Sequence, residues 1–191
     1  MENQARFQAV ENTRHERDPV MINTMKGLVA CSDLTGYAKF AAKKSEEEIF
    51  QLLSDYYVLV GDIVAPASVR VIKFMGDAAL MLFPETAADT GVRALLALQS
   101  RGDRFLSERN VPCRHHLRAH FGPVCFGEIG TRTDKRPDML GATVNALFLL
   151  KTAGFAITPE AFRKLTPGTR KLFKKHTPPV AYIPLTQPHR D

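Results

Sequence analysis

The chain has 191 residues, 45% of them apolar and 24% charged, with a formal net charge of +6 and no tryptophan. That length suits one domain with its own core, and the ordinary apolar share excludes wholesale disorder and collagen-like structure. No run approaches the roughly 20 apolar residues of a membrane-spanning helix, and residues 1–19 lack the apolar centre of a signal peptide, so a soluble cytoplasmic protein is expected.

Residues 1–24 show no clean period and read as an N-terminal arm ahead of one domain over 25–191. Gly27 to Ser32 is a short apolar run that breaks into Asp33-Leu34-Thr35-Gly36, as a buried strand entering a turn does. One or two helical turns fit Tyr37 to Lys44. Ser45 and Glu48 form a capping box that opens a helix, whose Ile49, Leu52, Leu53, Tyr56, Tyr57 and Val60 recur at three and four. Pro66 marks its end. Ser68 to Phe74 and Ala78 to Phe83 are β-rich runs joined by Met75-Gly76-Asp77, a hairpin signature.

A second amphipathic helix is predicted over Thr86 to Asn110, on Val92, Leu95, Leu96, Leu98, Phe105 and Leu106. His116 to Phe121 and Val124 to Ile129 read as strands turned at Gly122-Pro123, a second hairpin, followed by a basic loop over Gly130 to Pro137. Thr143 to Thr152 suits a helix, Phe155 to Thr158 a strand and Pro159 to Leu165 a helix opened by proline. Val180 to Pro184 reads as an edge strand. Strand, helix, hairpin, helix, hairpin is an α+β order, with a mostly antiparallel sheet and helices on one face. Cys31, Cys113 and Cys125 are odd in number and lack CxxC spacing, which argues against a disulfide framework or a thiolate zinc site. Cys31 and Cys125 lie in apolar runs where a buried free thiol is usual.

Two acids stand where acids are uncommon. Asp33 follows a buried strand and Asp77 occupies the tip of an apolar hairpin, so both carboxylates can converge at one sheet edge. Such a pair suits a hard cation whose shell is completed by phosphates. Turn capping by Asp33 and simple turn filling by Asp77 would also account for them.

The segments Cys31-Ser32-Asp33-Leu34-Thr35-Gly36-Tyr37 and Lys73-Phe74-Met75-Gly76-Asp77 resemble the two metal motifs of class III nucleotidyl cyclases, the adenylate and guanylate cyclase catalytic domains. The resemblance continues through Gly122-Pro123-Val124 and Gly127-Glu128-Ile129-Gly130 to Asp138-Met139-Leu140-Gly141-Ala142-Thr143-Val144-Asn145, in order, over about residues 26–165. It implies a ferredoxin-like βαββαβ core with C-terminal additions, the nucleotide cyclase fold. It also implies two Mg²⁺ or Mn²⁺ ions on Asp33, Asp77 and the Leu34 carbonyl, acting on the ribose 3′-hydroxyl and the triphosphate. Backbone amides of Thr35, Gly36 and Tyr37 would hold phosphates, with Gly76 of the second motif also in the substrate site. Lys73 and Asp138 match the pair that reads adenine, and Asn145 the residue that orients the ribose. ATP is therefore the implied substrate and cyclic AMP with pyrophosphate the products. In the family the metal aspartates and the purine readers face each other from two subunits, which implies a homodimer with two sites.

Two positions depart from the family. Leu149 stands where an Arg stabilises charge on the α-phosphate, and Arg118 where a small Gly is usual. Losing one such donor typically costs about 10² to 10³ in turnover. Either another cation among Arg132, Lys135, Arg136, Lys174 and Lys175 replaces it, or the chain is a degenerate cyclase homologue that binds nucleotide or regulates. His115, His116 and His120 read as satisfied strand histidines, since no acid stands near them in sequence to complete a metal site. The element order is shared with RNA-binding domains, but Arg70 to Phe83 lacks their glycine–aromatic pattern, so nucleic acid is not an expected partner. Arg163 to Lys175 reads as a solvated basic face.

Overall fold

A computed structural model describes residues 22–150 and 152–189. Strand β1 (Ile22–Thr35) leads into a short helix α1 (Tyr37–Ala41) and then into α2 (Glu46–Val64), which a 3-10 turn extends through Ala67. The hairpin β2 (Arg70–Met75) and β3 (Ala78–Pro84) precedes α3 (Ala88–Glu108). β4 (Arg114–Gly130) and β5 (Lys135–Leu140) are followed by α4 (Ala142–Leu149) and β6 (Phe155–Ile157). The chain closes with α5 (Pro159–Arg163), α6 (Pro167–Arg170), β7 (Phe173–His176) and β8 (Ala181–Pro184). The arm expected over residues 1–24 falls almost wholly outside the described residues, and β1 already begins at Ile22.

The sheet runs β2-β3-β1-β4-β6-β8-β7, with β5 added to β4. Its first four strands pair antiparallel in the order of a ferredoxin-like core. Each crossover helix joins two strands that have one strand between them. The capping box forms as expected: Ser45 Oγ accepts from the Glu48 N–H at 3.2 Å and Glu48 from the Ser45 N–H at 3.0 Å.

Alternation along the strands divides the sheet. Leu28, Ala30, Met81, Phe83, Leu117, Ala119 and Phe121 point to one face, where Tyr56, Val60 and Val64 of α2 and Val92, Leu95 and Leu98 of α3 bury them in the main core. Val29, Cys31, Leu80 and Leu82 point to the other face, where Val144 and Leu147 of α4 and Met139 of β5 cover them. Helices therefore lie on both faces rather than one, because α4 returns behind the sheet.

Other expectations fail for identifiable reasons. Gly122-Pro123 does not turn. β4 continues unbroken through it for 17 residues, with Gly122 opposite Gly27 of β1. Between Ala119 and Cys125 the outer side of β4 has no strand partner, and a residue without an N–H is tolerated there. Gly122 serves close approach instead, since a Cβ there would stand 2.5 Å from Thr143 Oγ1 of α4. The basic loop is shorter than expected, because Gly130 still belongs to β4 and Lys135 to Pro137 open β5. β8 is not an edge, because β7 pairs outside it and takes up the end of the basic segment. Cys125 is exposed, whereas Cys31 and Cys113 are buried, and all three thiols are free. The helical stretch Glu46–Ala67 has by length and apolar composition the character of a membrane span, which the sequence reading did not anticipate. Its apolar side packs into the core.

Candidate active site

β1 delivers Asp33 and Leu34 to the end of the sheet, and the β2–β3 turn delivers Asp77 to the same place. Asp77 Oδ2 accepts the Leu34 backbone N–H at 2.9 Å, bridging positions 43 residues apart. Burial raises the Tyr37 hydroxyl pKa first, and the Asp77 charge raises it further, so the carboxylate also acts on the start of α1. Tyr57 pins the turn from α2 by donating its hydroxyl to the Gly76 carbonyl at 2.6 Å while its ring stacks on Phe74. Thr35 ends β1 opposite Arg114, and Gly36 caps α1 with φ 92°.

Asp33 is half-buried and already engaged. Arg118 Nη2 lies 3.4 Å from its Oδ2 and His116 Nδ1 3.5 Å from its Oδ1. Desolvation pushes its carboxyl pKa up, but the His116 hydrogen bond and the charges of His116 and Arg118 outweigh that and hold it below the ordinary value. Next along β1, burial and the Asp33 charge push the Cys31 thiol up to about 11, so it stays protonated at neutral pH. The acid missing from the histidine reading is thus supplied by β1, directly across from His116. The other two histidines are satisfied as expected. His115 sits in the core between Asp103 and the Tyr56 hydroxyl, at 2.9 and 2.8 Å, and His120 bonds Thr158 at 2.8 Å.

Lys73 and Asp138 meet, with Nζ 2.7 Å from Oδ2 and both side chains partly exposed. The contact requires a bend. Lys73 lies in a row with Leu80, Cys31 and Arg118, whereas Asp138 pairs with Gly127, which is opposite Ile22. Nine residues of β1 separate those rows, roughly 30 Å in a flat sheet. The β1–β4–β5 ribbon therefore curls back over the α4 face, and Arg70 of β2 stands over the Phe126 ring. Gly27 and Gly122 face each other between those two rows, and a Cβ on Gly27 would be 2.6 Å from the Phe83 carbonyl oxygen.

Asn145 is exposed on α4, and Leu149, one turn further, is 76% exposed. Of the five cations considered as substitutes for an Arg there, Arg132, Lys135 and Arg136 belong to the β4–β5 hairpin and Lys174 and Lys175 to the far edge strand β7. The cation beside the metal-motif carboxylate Asp33 is Arg118. Alternation already places residues 116, 118 and 120 on one face; only the β1–β4 register reveals that this face carries Asp33.

Curated relatives include an adenylate cyclase from Anabaena cylindrica, 25% identical over 131 residues, which are 64% of this chain and 26% of that protein. The chain spans about a quarter of the length of that cyclase and of one from Streptomyces griseus, 29% identical over 117 residues and 61% of this chain. Among solved structures, the adenylyl cyclase CyaB from P. aeruginosa superposes with a TM-score of 0.75 at 17% identity, covering 89% of this chain and 98% of that one. The chain has the class III nucleotidyl cyclase catalytic fold. No protein-family model matches it. The guanylyl cyclase Cya2 shares this cyclase fold, with a TM-score of 0.67 at 20% identity over 84% of this chain and 91% of that one, so the fold alone does not choose the purine.

The residues fit the divalent ions that the cyclase fold implies as a partial oxygen set. Asp33, Asp77 and the Leu34 carbonyl are hard donors, the kind Mg²⁺ and Mn²⁺ take before substrate phosphates complete the shell. Among the described residues no three His, Cys, Asp or Glu side chains gather into a self-sufficient metal site.

Proposed function

We propose that this chain cyclises a nucleoside triphosphate, converting ATP to 3′,5′-cyclic AMP and pyrophosphate. The ribose 3′-oxygen bonds to the α-phosphorus, the bond to the pyrophosphate oxygen breaks, and the hydroxyl proton leaves to solvent. The observation that carries this reading is the Asp77–Leu34 hydrogen bond, which draws the two acidic motifs to one sheet edge. Divalent ions, when bound, would polarise the 3′-hydroxyl and offset the triphosphate charge. The protein's part is to hold Asp33, Asp77 and the Leu34 carbonyl in place on strand ends, with the Thr35–Tyr37 backbone and Gly76 beside the phosphates.

Lys73 and Asp138 support adenine as the base. In the nucleotide-free protein they neutralise each other; with adenine bound, Lys73 would donate to a ring nitrogen and Asp138 would accept from the exocyclic amine. Asn145 would orient the ribose. A homodimer is proposed because Leu140, Phe148 and Leu149 leave apolar surface exposed around Asn145, on the face a second copy would cover. The second reading, a nucleotide-binding homologue with little turnover, is favoured by the apolar Leu149 and by the cation lodged on Asp33.

Purified protein with ATP and Mn²⁺, assayed for cyclic AMP by mass spectrometry beside GTP, CTP and UTP, separates them. Cyclic AMP from the wild type and about 10³-fold less from Asp77→Asn is expected, several kcal/mol of lost charge stabilisation. ATP binding with no cyclic product or pyrophosphate from any nucleotide would install the second reading.

A further inference from the structure

The contact between Arg118 and Asp33 is built by the sheet. Arg118 stands directly across from Cys31, and His116 directly across from Asp33, so the guanidinium reaches its diagonal neighbour on the same face. It also lies against the His116 ring, with Nε 3.1 Å from Nε2 and Nη2 3.0 Å from Nδ1. Only 16% of the Arg118 side chain is exposed, so water screens its charge weakly. Arginine does not lose its proton in proteins. A permanent positive charge is therefore fixed against one oxygen of Asp33, with His116 against the other. Asp77 has no such cation among the described residues, its bonded partner being a backbone N–H.

We propose that Arg118 is an internal countercation for Asp33, a positioning residue that turns this carboxylate toward β4 and weakens divalent-ion binding there until a nucleotide is present. A divalent ion entering at Asp33 meets like charge and must displace the guanidinium; a triphosphate supplies the negative charge to which Arg118 can turn. Nucleotide-free protein then binds its ion chiefly through Asp77. The proposal rests on the cyclase reading in taking Asp33 as an ion ligand and a nucleoside triphosphate as the partner that draws Arg118 away.

Free Mn²⁺ measured by electron paramagnetic resonance during titration of nucleotide-free protein tests it, with thermal melts to verify folding. Arg118→Gln, which keeps reach and removes charge, should tighten Mn²⁺ binding by roughly 10- to 100-fold, the scale of a charge–charge term near a protein surface. Arg118→Lys should stay near the wild type, and Asp33→Asn combined with Arg118→Gln should lose the gain. Unchanged or weaker binding in a folded Arg118→Gln protein overturns the proposal. If Arg118→Gln does not fold, the otherwise wild-type background decides. Asp33→Asn should then leave nucleotide-free Mn²⁺ affinity within about threefold while Asp77→Asn lowers it at least tenfold, and equal losses overturn it. Cyclic nucleotide is measured separately, so tightening without product would sink the cyclase reading and leave this one standing.

Discussion

The two faces of the sheet are built to different ends. On the face under α2 and α3, the inward strand positions are apolar except for the hydrogen-bonded His115 and the buried Ser32, and side chains such as Phe83, Leu95 and Leu98 are wholly buried. On the face under α4, an apolar patch is flanked by two acid–cation pairs, Lys73 with Asp138 and Arg118 with Asp33. Lys73, Leu80, Cys31 and Arg118 form one row across four strands, which sets the two cations roughly 14 Å apart at 4.8 Å per strand. The first face supplies stability, and the second carries the residues on which the proposed chemistry rests. Burial does not distinguish them; the chemical kind of the inward residues does.

Phe83→Ala should cut deepest on the first face. It leaves a cavity in the main core and should cost about 3–5 kcal/mol, read as a lower midpoint in urea unfolding. Mn²⁺ affinity of the protein that remains folded should not change. A large change in ion binding there would break the division between faces.

Lys73→Ala probes the other side. The pair is partly exposed, so the thermal midpoint should move by only a degree or two, the effect of an ion pair worth under about 1 kcal/mol. Preference for ATP over GTP in competition binding should fall by roughly 10- to 100-fold, the 1.5–3 kcal/mol of a hydrogen bond to a charged group. Unaltered preference would remove Lys73 from purine recognition.

The smallest effect concerns Asp89 at the start of α3, which accepts from the Thr166 N–H at 2.7 Å, the Thr169 hydroxyl at 2.9 Å and Arg93 at 3.3 Å. Burial pushes its carboxyl up, but these bonds outweigh it and hold the pKa below the ordinary value. Because the folded value lies below the unfolded one, near 3.9, the stabilisation is complete above that pH and fades as pH falls through the folded value. Asp89→Asn should therefore cost about 1 kcal/mol at pH 7, and the gap to the wild type should narrow below about pH 4. A gap independent of pH would assign the loss to packing instead.

Much of the architecture was legible because it is local. The Ser45–Glu48 capping box, the stripe from Tyr56 to Val60 and the Gly76-Asp77 turn each state their structure within a few residues. Gly122-Pro123 misled because the same two residues that favour a turn also suit a strand crossed closely by a helix, and only Thr143 on α4 distinguishes these. β5 was hidden for a related reason: residues 135–140 carry charge and a proline because they form an outer strand. Asp33 at the end of β1 and Asp77 on the hairpin tip were legible from their own segments, while the neighbour that holds Asp33 depended on a strand 85 residues away.

The curl of the β1–β4–β5 ribbon gives the Lys73–Asp138 pair a mechanical character. Lys73 and Asp138 are mounted on separate arms, one on the flat of the sheet and the other on the part of the ribbon that folds over it, and their 2.7 Å contact ties the two arms together. A side chain introduced at Gly27 would stand 2.6 Å from the Phe83 carbonyl oxygen and disturb the β1–β3 pairing, so the purine preference proposed for Lys73 and Asp138 is open to change from a position remote from both.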